Sequence, residues 1–364
     1  MIPLRSTPRR LLTFGLLVIG GLLLGACEDT PTSSQSQSEF PVNSCSFQTS
    51  RLADGGVGKD GIPALTNPTL VPPDHEHAQY LADSSRVIGV LVEGRPLAVP
   101  HNILWHHEII NFDDVRGRTF AVTYCPLTGS SLAFDREAVD GAEFAVSGLL
   151  LDNNLVMYDR RENESLWPQM SRQAQCGTAT GTDLDMIPVV EMRWDRWQAL
   201  HPNTELVSNQ TGYARDYRPQ AYPYRDYEGL NTEPLFSAPV DDRRPPKERV
   251  LGIPAGPDGG TALPFRALDA VGPVRVLSVT AGGTQATVFW SRAAESAMAF
   301  ETSASFSVEN GTIVDEETGS TWSVEGVATD GPREGERLEP VDRAYVAFWF
   351  AWAIFQPETE LWTN

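Results

Sequence analysis

The chain has 364 residues and a formal net charge of -20. Nucleic-acid binding needs basic patches, which so acidic a chain does not supply, and nucleic acid is excluded as a partner. Apolar residues make up 41% of the chain, enough for one large domain or two small ones. Arginine outnumbers lysine 26 to 2; adaptation to salt and a GC-rich genome both account for that bias.

The N-terminus reads as a targeting segment. Arg5, Arg9 and Arg10 form a basic region, and Leu11 to Leu24 is an uncharged apolar run. The run matches a signal-peptide core and falls short of the roughly 20 residues a spanning helix needs. Gly25 and Ala26 precede Cys27, the pattern of a bacterial lipobox. Residues 1–26 are therefore predicted to be a signal peptide and Cys27 the lipidated first residue of the mature protein; an ordinary cleaved signal with an incidental cysteine is the plainer alternative. The first reading places the protein outside the cytoplasm in the cell envelope, lipid-anchored to a membrane. Residues 27–57, beginning CEDTPTSSQSQSEF, are too poor in apolar groups to order themselves and read as a flexible tether.

Three further cysteines, Cys45, Cys125 and Cys176, face an oxidising compartment. They form at most one internal disulfide, and spacing does not fix which. Cys45, near the tether, and Cys176, in a Gly/Thr-rich loop, are the less constrained pair, which would leave Cys125 free.

Along the chain, RVIGVLVEG and RPLAVP alternate around Glu93-Gly94, a hairpin signal. RTFAVTYC, SSLAFD, EFAVSGLL and NLVMYD read as further strands, with turns at Thr128-Gly129, Asp140-Gly141 and Asn153-Asn154. Aromatic-rich helices are predicted over Glu191–Leu200 and Tyr345–Phe355, each stopped by a proline segment. The second ends the apolar run from Ala344 to Phe355, which is too short to span a bilayer and reads as a buried helix.

The two halves resemble each other. Trp167 to Trp197 spans 30 positions, as does Trp322 to Trp352, and Trp167 to Pro202 spans 35, as does Trp322 to Pro357. The expected fold class is α+β and β-rich, with two related β lobes from an internal duplication, each closed by an aromatic-rich helix. The first lobe is placed at 58–212, a Tyr/Arg-rich connector at 213–249 and the second lobe at 250–364. Reactive residues are unequally shared: WHHEIIN in the first half stands against DAVGPVR, and FAVTYCPLTGSSLAFD against ATVFWSRAAESAMAFE. That asymmetry points to a site in the first half around Cys125, His107 and Glu108.

DGIPALTNP, WHHEIIN, VTYCPLTGSSLAFDR, VSGLLLDNNLVMYDR, SLWPQM, KERVLGI and FWFAWAIFQPETE together resemble the bacterial and archaeal family catalogued as domain of unknown function 3179. The resemblance runs from Lys59 to Trp362 and implies no activity. Members often carry an aspartate where this chain has Phe112, with Asp113 and Asp114 following, and some carry a second cysteine where it has Thr128. Thr128 removes dithiol chemistry of the CxxC kind.

As a catalytic nucleophile, Cys125 would need a base, His107 or Glu108, and a lowered pKa. As a metal ligand it would suit Cu or Zn, with His107 and Met157 or Met170. Adjacent side chains diverge on a strand or a helix, so His106, His107 and Glu108 cannot all line one pocket. Buried packing roles are the plain alternatives for the cysteine and both methionines. His75 and His77, in HEH, are read as solvated loop residues. The two lysines, Lys59 and Lys247, stand out in a chain that otherwise uses arginine, because arginine's planar fork does some tasks badly. Two functional readings follow. The first is a lipid-anchored envelope protein with a small-ligand or metal site around Cys125 and His107, whether or not it catalyses a reaction; the second is a non-catalytic binding or assembly module for an envelope protein partner.

Overall fold

The computed structural model describes Phe40 and residues 42–256, 258–281 and 283–363; the signal segment and Cys27 lie outside them. The described chain is α+β and strongly β-rich, with four short α-helices: α1 (His101–His107), α2 (Trp194–Leu200), α3 (Phe265–Val271) and α4 (Trp349–Phe355). No described helix is long and apolar enough to cross a membrane.

Three sheets belong to the first half. One runs in the order Val189–Arg193, Arg86–Val92, Arg95–Pro100, Glu205–Val207, Leu70–Val71. The next orders Met186–Ile187, Ser130–Asp135, Arg118–Cys125, Ile109–Val115, Leu65–Thr66. The last orders Leu52–Asp54, Phe144–Leu151, Asn154–Asp159, Leu166–Pro168. In the second half, Tyr345–Phe348, Arg249–Ala255, Gly259–Pro264 and Glu358–Leu361 make a sheet in the same order as the first four strands of that sheet, again with the third and fourth strands parallel.

The tryptophans occupy matching niches. Trp197 Nε1 donates to Thr204 Oγ1 at 2.9 Å, and Trp352 Nε1 to Thr359 Oγ1 at 2.8 Å. Trp167 and Trp322 donate to Asp159 and Asp315. A Cβ at Gly89 would lie 2.1 Å from the Trp197 ring, and one at Gly252 2.1 Å from the Trp352 ring. Backbone and indole thus meet where no side chain fits. Gly89→Ala is expected to destabilise the protein by about 1–3 kcal/mol, the usual cost of overpacking, read as a lower urea midpoint; an unchanged midpoint would contradict this packing.

Two sequence expectations are corrected. Glu191–Arg193 and Tyr345–Phe348, the first parts of the two expected helices, lie in the strands Val189–Arg193 and Tyr345–Phe348, and helix begins only at Trp194 and Trp349. Pairing of Val189–Arg193 with Arg86–Val90 and of Tyr345–Phe348 with Arg249–Gly252 satisfies their backbone groups in the sheets and overrides local helical preference. The tether, expected to reach residue 57, is docked from Phe40 onward. Phe40 and Phe47 are buried, Leu52–Asp54 pairs with Leu149–Leu151, and Cys45 is disulfide-bonded to Cys176.

The halves also share their packing. One buried cluster joins Cys125, Leu127 and Trp167 to Phe348, Trp349 and Trp352, and another joins Trp194 and Trp197 to Phe289 and Trp322.

Candidate functional site

Strand Arg118–Cys125 alternates its faces. Ala121 and Cys125 turn to the cluster holding Met157, Met170 and Phe348, whereas Val122 and Tyr124 turn to the cluster holding Ile103 and Tyr217. Pro126 then ends the strand, and Thr128-Gly129 turns the chain. Cys125 is the free cysteine among the described residues and is 1% exposed. Its thiol lies 3.5 Å from the Asn153 carbonyl, to which it donates, and accepts from Leu155 N–H at 3.3 Å. Burial, with the charge of Glu108, pushes the thiol up to about 11, so it is protonated at neutral pH.

Glu108 follows α1 with φ 56° and ψ -32°, a backbone region costly for a residue with a side chain. Gly272 follows α3 in the second half, also at positive φ. A carboxylate is thus carried where glycine would relieve strain. Burial alone lifts the Glu108 carboxyl to about 8, with no cation or hydrogen bond to offset it. Its charge is felt at Cys125 and at the Tyr224 hydroxyl.

Lys247, near the end of the connector, comes within electrostatic reach of Cys125. It is 3% exposed, and its Nζ has no hydrogen-bond partner. The amine sits 3.7 Å from the Tyr227 ring centroid, 4.2 Å from Phe350 and 5.5 Å from Phe348. Burial lowers its pKa to about 7, against the opposing influence of Cys125, Glu233 and Glu228. The connector lies above, through Tyr224 and Tyr227, with Tyr227 donating to the Leu127 carbonyl at 3.0 Å.

His107 is not brought into this group. Its Nδ1–H donates to Pro63 O at 2.8 Å, and Nε2 accepts from Tyr217 OH at 2.7 Å. Burial lowers it to about 4, so the ring is neutral and fastens the connector to α1. Both ring nitrogens are used by protein, which removes His107 as the base for Cys125 and as its co-ligand for Cu or Zn. Met157 is fully buried in the apolar cluster beside Cys125. Among the described residues no group of three His, Cys, Asp or Glu side chains could hold a metal ion. An open cleft of about 510 Å³ lies on the His107 side, lined by Tyr80, Asn209, Thr211, Tyr213, Arg215 and Tyr217 among others; Glu108, Cys125 and Lys247 are not in its wall.

The other singled-out residues have structural contacts. Lys59 pairs with Glu164 at 2.7 Å and lies over Tyr158. His75 Nδ1 accepts from the His77 N–H at 3.1 Å, capping a short 3-10 turn. Phe112 stacks on Phe120, and Asp113 pairs with Arg136. Thr128 bonds Ser130 and Asn154.

A second buried polar centre has no motif in the sequence. Glu191 accepts from Arg86 at 2.7 Å, Arg249 at 2.8 Å and Ser131 at 2.6 Å. Arg249 also donates to Glu228 at 3.1 Å. Burial would raise the Glu191 carboxyl, but Arg86 and Arg249 overcome it and hold it near 2. His101, stacked on Tyr124, is lowered by burial to about 3 in spite of Glu191.

The match with known proteins is at the level of a family. The model of the family described as a protein of unknown function, DUF3179, matches residues 59–359. The chain belongs to the DUF3179 family. Lys247 and the cluster around Cys125 and Glu108 all lie inside the matched span. Comparison with the curated proteins and with the solved structures returns no match.

Proposed function

We propose that this DUF3179 member is a lipid-anchored extracytoplasmic protein with a small-ligand site at Glu108, Cys125 and Lys247, where its halves meet. The carrying observation is the Lys247 amine, buried among aromatic rings with no hydrogen-bond partner. Buried, displaced titratable groups gathered in one place are costly to a fold and characteristic of working sites. The strained backbone at Glu108 supports the same reading. The matching sheet orders and tryptophan niches support an internal duplication, with Glu108 and Cys125 carried by the first half and Lys247 by the connector.

The deep burial of Cys125 favours the second reading, a non-catalytic binding module for an envelope partner. Methyl methanethiosulfonate, a small neutral thiol reagent, separates the two. The small-ligand reading expects native protein carrying Cys27→Ser to be modified at Cys125 as the pH rises. Modification only after denaturation would turn the conclusion to the binding module. The anchor has its own test. Cys27→Ser is expected to move the protein from the membrane to the soluble fraction, and a wild-type N-terminal peptide without a lipid mass would contradict it.

A further inference from the structure

We propose that Lys247 forms an imine with a small uncharged aldehyde or ketone held in the cage of Tyr227, Phe348 and Phe350. The inference rests on the small-ligand reading and names its substrate class. Desolvated lysines in apolar pockets are nucleophiles toward carbonyl carbon. At pH 7 an amine with a pKa of about 7 is roughly half free base, against about one part in 2,500 for an ordinary lysine. Cation-π attraction to the rings is the competing use of the cage, but it applies to the ammonium form alone.

The lining selects the substrate. Arg249, the neighbouring cation, is spent on Glu191 and Glu228, so nothing remains to pair with a carboxylate or phosphate. The three ring faces suit a short apolar chain beside the carbonyl. Arginine, used elsewhere throughout the chain, cannot replace this lysine, because its guanidinium stays protonated.

The step balances without a redox partner. The Nζ lone pair forms the N–C bond as the carbonyl oxygen takes a proton, giving a carbinolamine. Nitrogen then loses a proton, the hydroxyl leaves as water with a second proton, and the C=N bond forms. Solvent supplies and takes up these protons.

The test is borohydride trapping on the full chain with propanal as probe at pH 7. Borohydride reduction is expected to fix a propyl increment on the Lys247 peptide at least about tenfold faster than on Lys59, the internal control, reflecting the free-base excess. Lys247→Arg removes the increment. No increment at Lys247, or equal increments at both lysines, overturns the imine. If Lys247 then still titrates near 7, the small-ligand reading stands without imine chemistry; if it titrates above 10, both fall.

Discussion

Glu108→Gln is expected to make the protein more stable, not less, at alkaline pH. The folded carboxyl sits at about 8, against 4.5 for its ordinary value. A raised carboxylate pKa means the folded state holds a proton that the unfolded state releases, so stability falls as the pH rises from 4.5 to 8. The penalty is absent below pH 4.5 and complete above about 8. At roughly 1.4 kcal/mol per pH unit it amounts to a few kcal/mol. Glutamine keeps the shape and removes the titration. Urea unfolding should therefore give equal stabilities near pH 4 and a variant a few kcal/mol more stable at pH 8.5. A variant less stable at pH 8.5 would show that the carboxylate is satisfied in the fold, and the argument for a working acid would fail. Such a gain on removing an ionisable group is the pattern of a site held at the expense of stability.

Glu191→Ala should act in the opposite direction and at least as strongly. The glutamate binds Arg86 and Arg249, whose side chains are only 12% and 14% exposed. Breaking a buried pair from one side typically costs about 3–5 kcal/mol, because the remaining charges stay desolvated. Glu295 and Glu228 still reach the two arginines, which places the loss toward the lower end. The folded carboxyl lies near 2, below 4.5. Its contribution is fully present above pH 4.5 and disappears as the pH falls through 2. Wild-type stability should therefore decline between pH 4.5 and 2 more steeply than that of the variant. Parallel pH profiles would remove Glu191 as the hub joining the halves.

What the sequence revealed, and what it hid, follows from where the information lies. The Glu93-Gly94 hairpin is local: both residues have positive φ, and the paired strands flank them as the alternation requires. Lys247 was legible through scarcity, since one of two lysines in a chain of 26 arginines draws attention. Its partners were not, because Cys125 and Tyr227 reach it across more than a hundred positions or through an irregular connector. His107 misled because its neighbour Glu108 turns away from it, at a backbone kink that no local pattern announces. Glu191 stood at the start of an expected helix, where nothing marked it as a site. Only the meeting of two strand-starting arginines, Arg86 and Arg249, makes it a buried hub.

The central claim is that Lys247 carries an amine without a hydrogen-bond partner, about half deprotonated at pH 7, in a built site. Having two lysines makes the direct measurement simple. In protein grown with 13C-labelled lysine, the Cε signals are those of Lys59 and Lys247, and Lys247→Arg assigns them. The account predicts that the Lys247 signal titrates near pH 7. A signal that holds its ammonium shift to above pH 10 would contradict it.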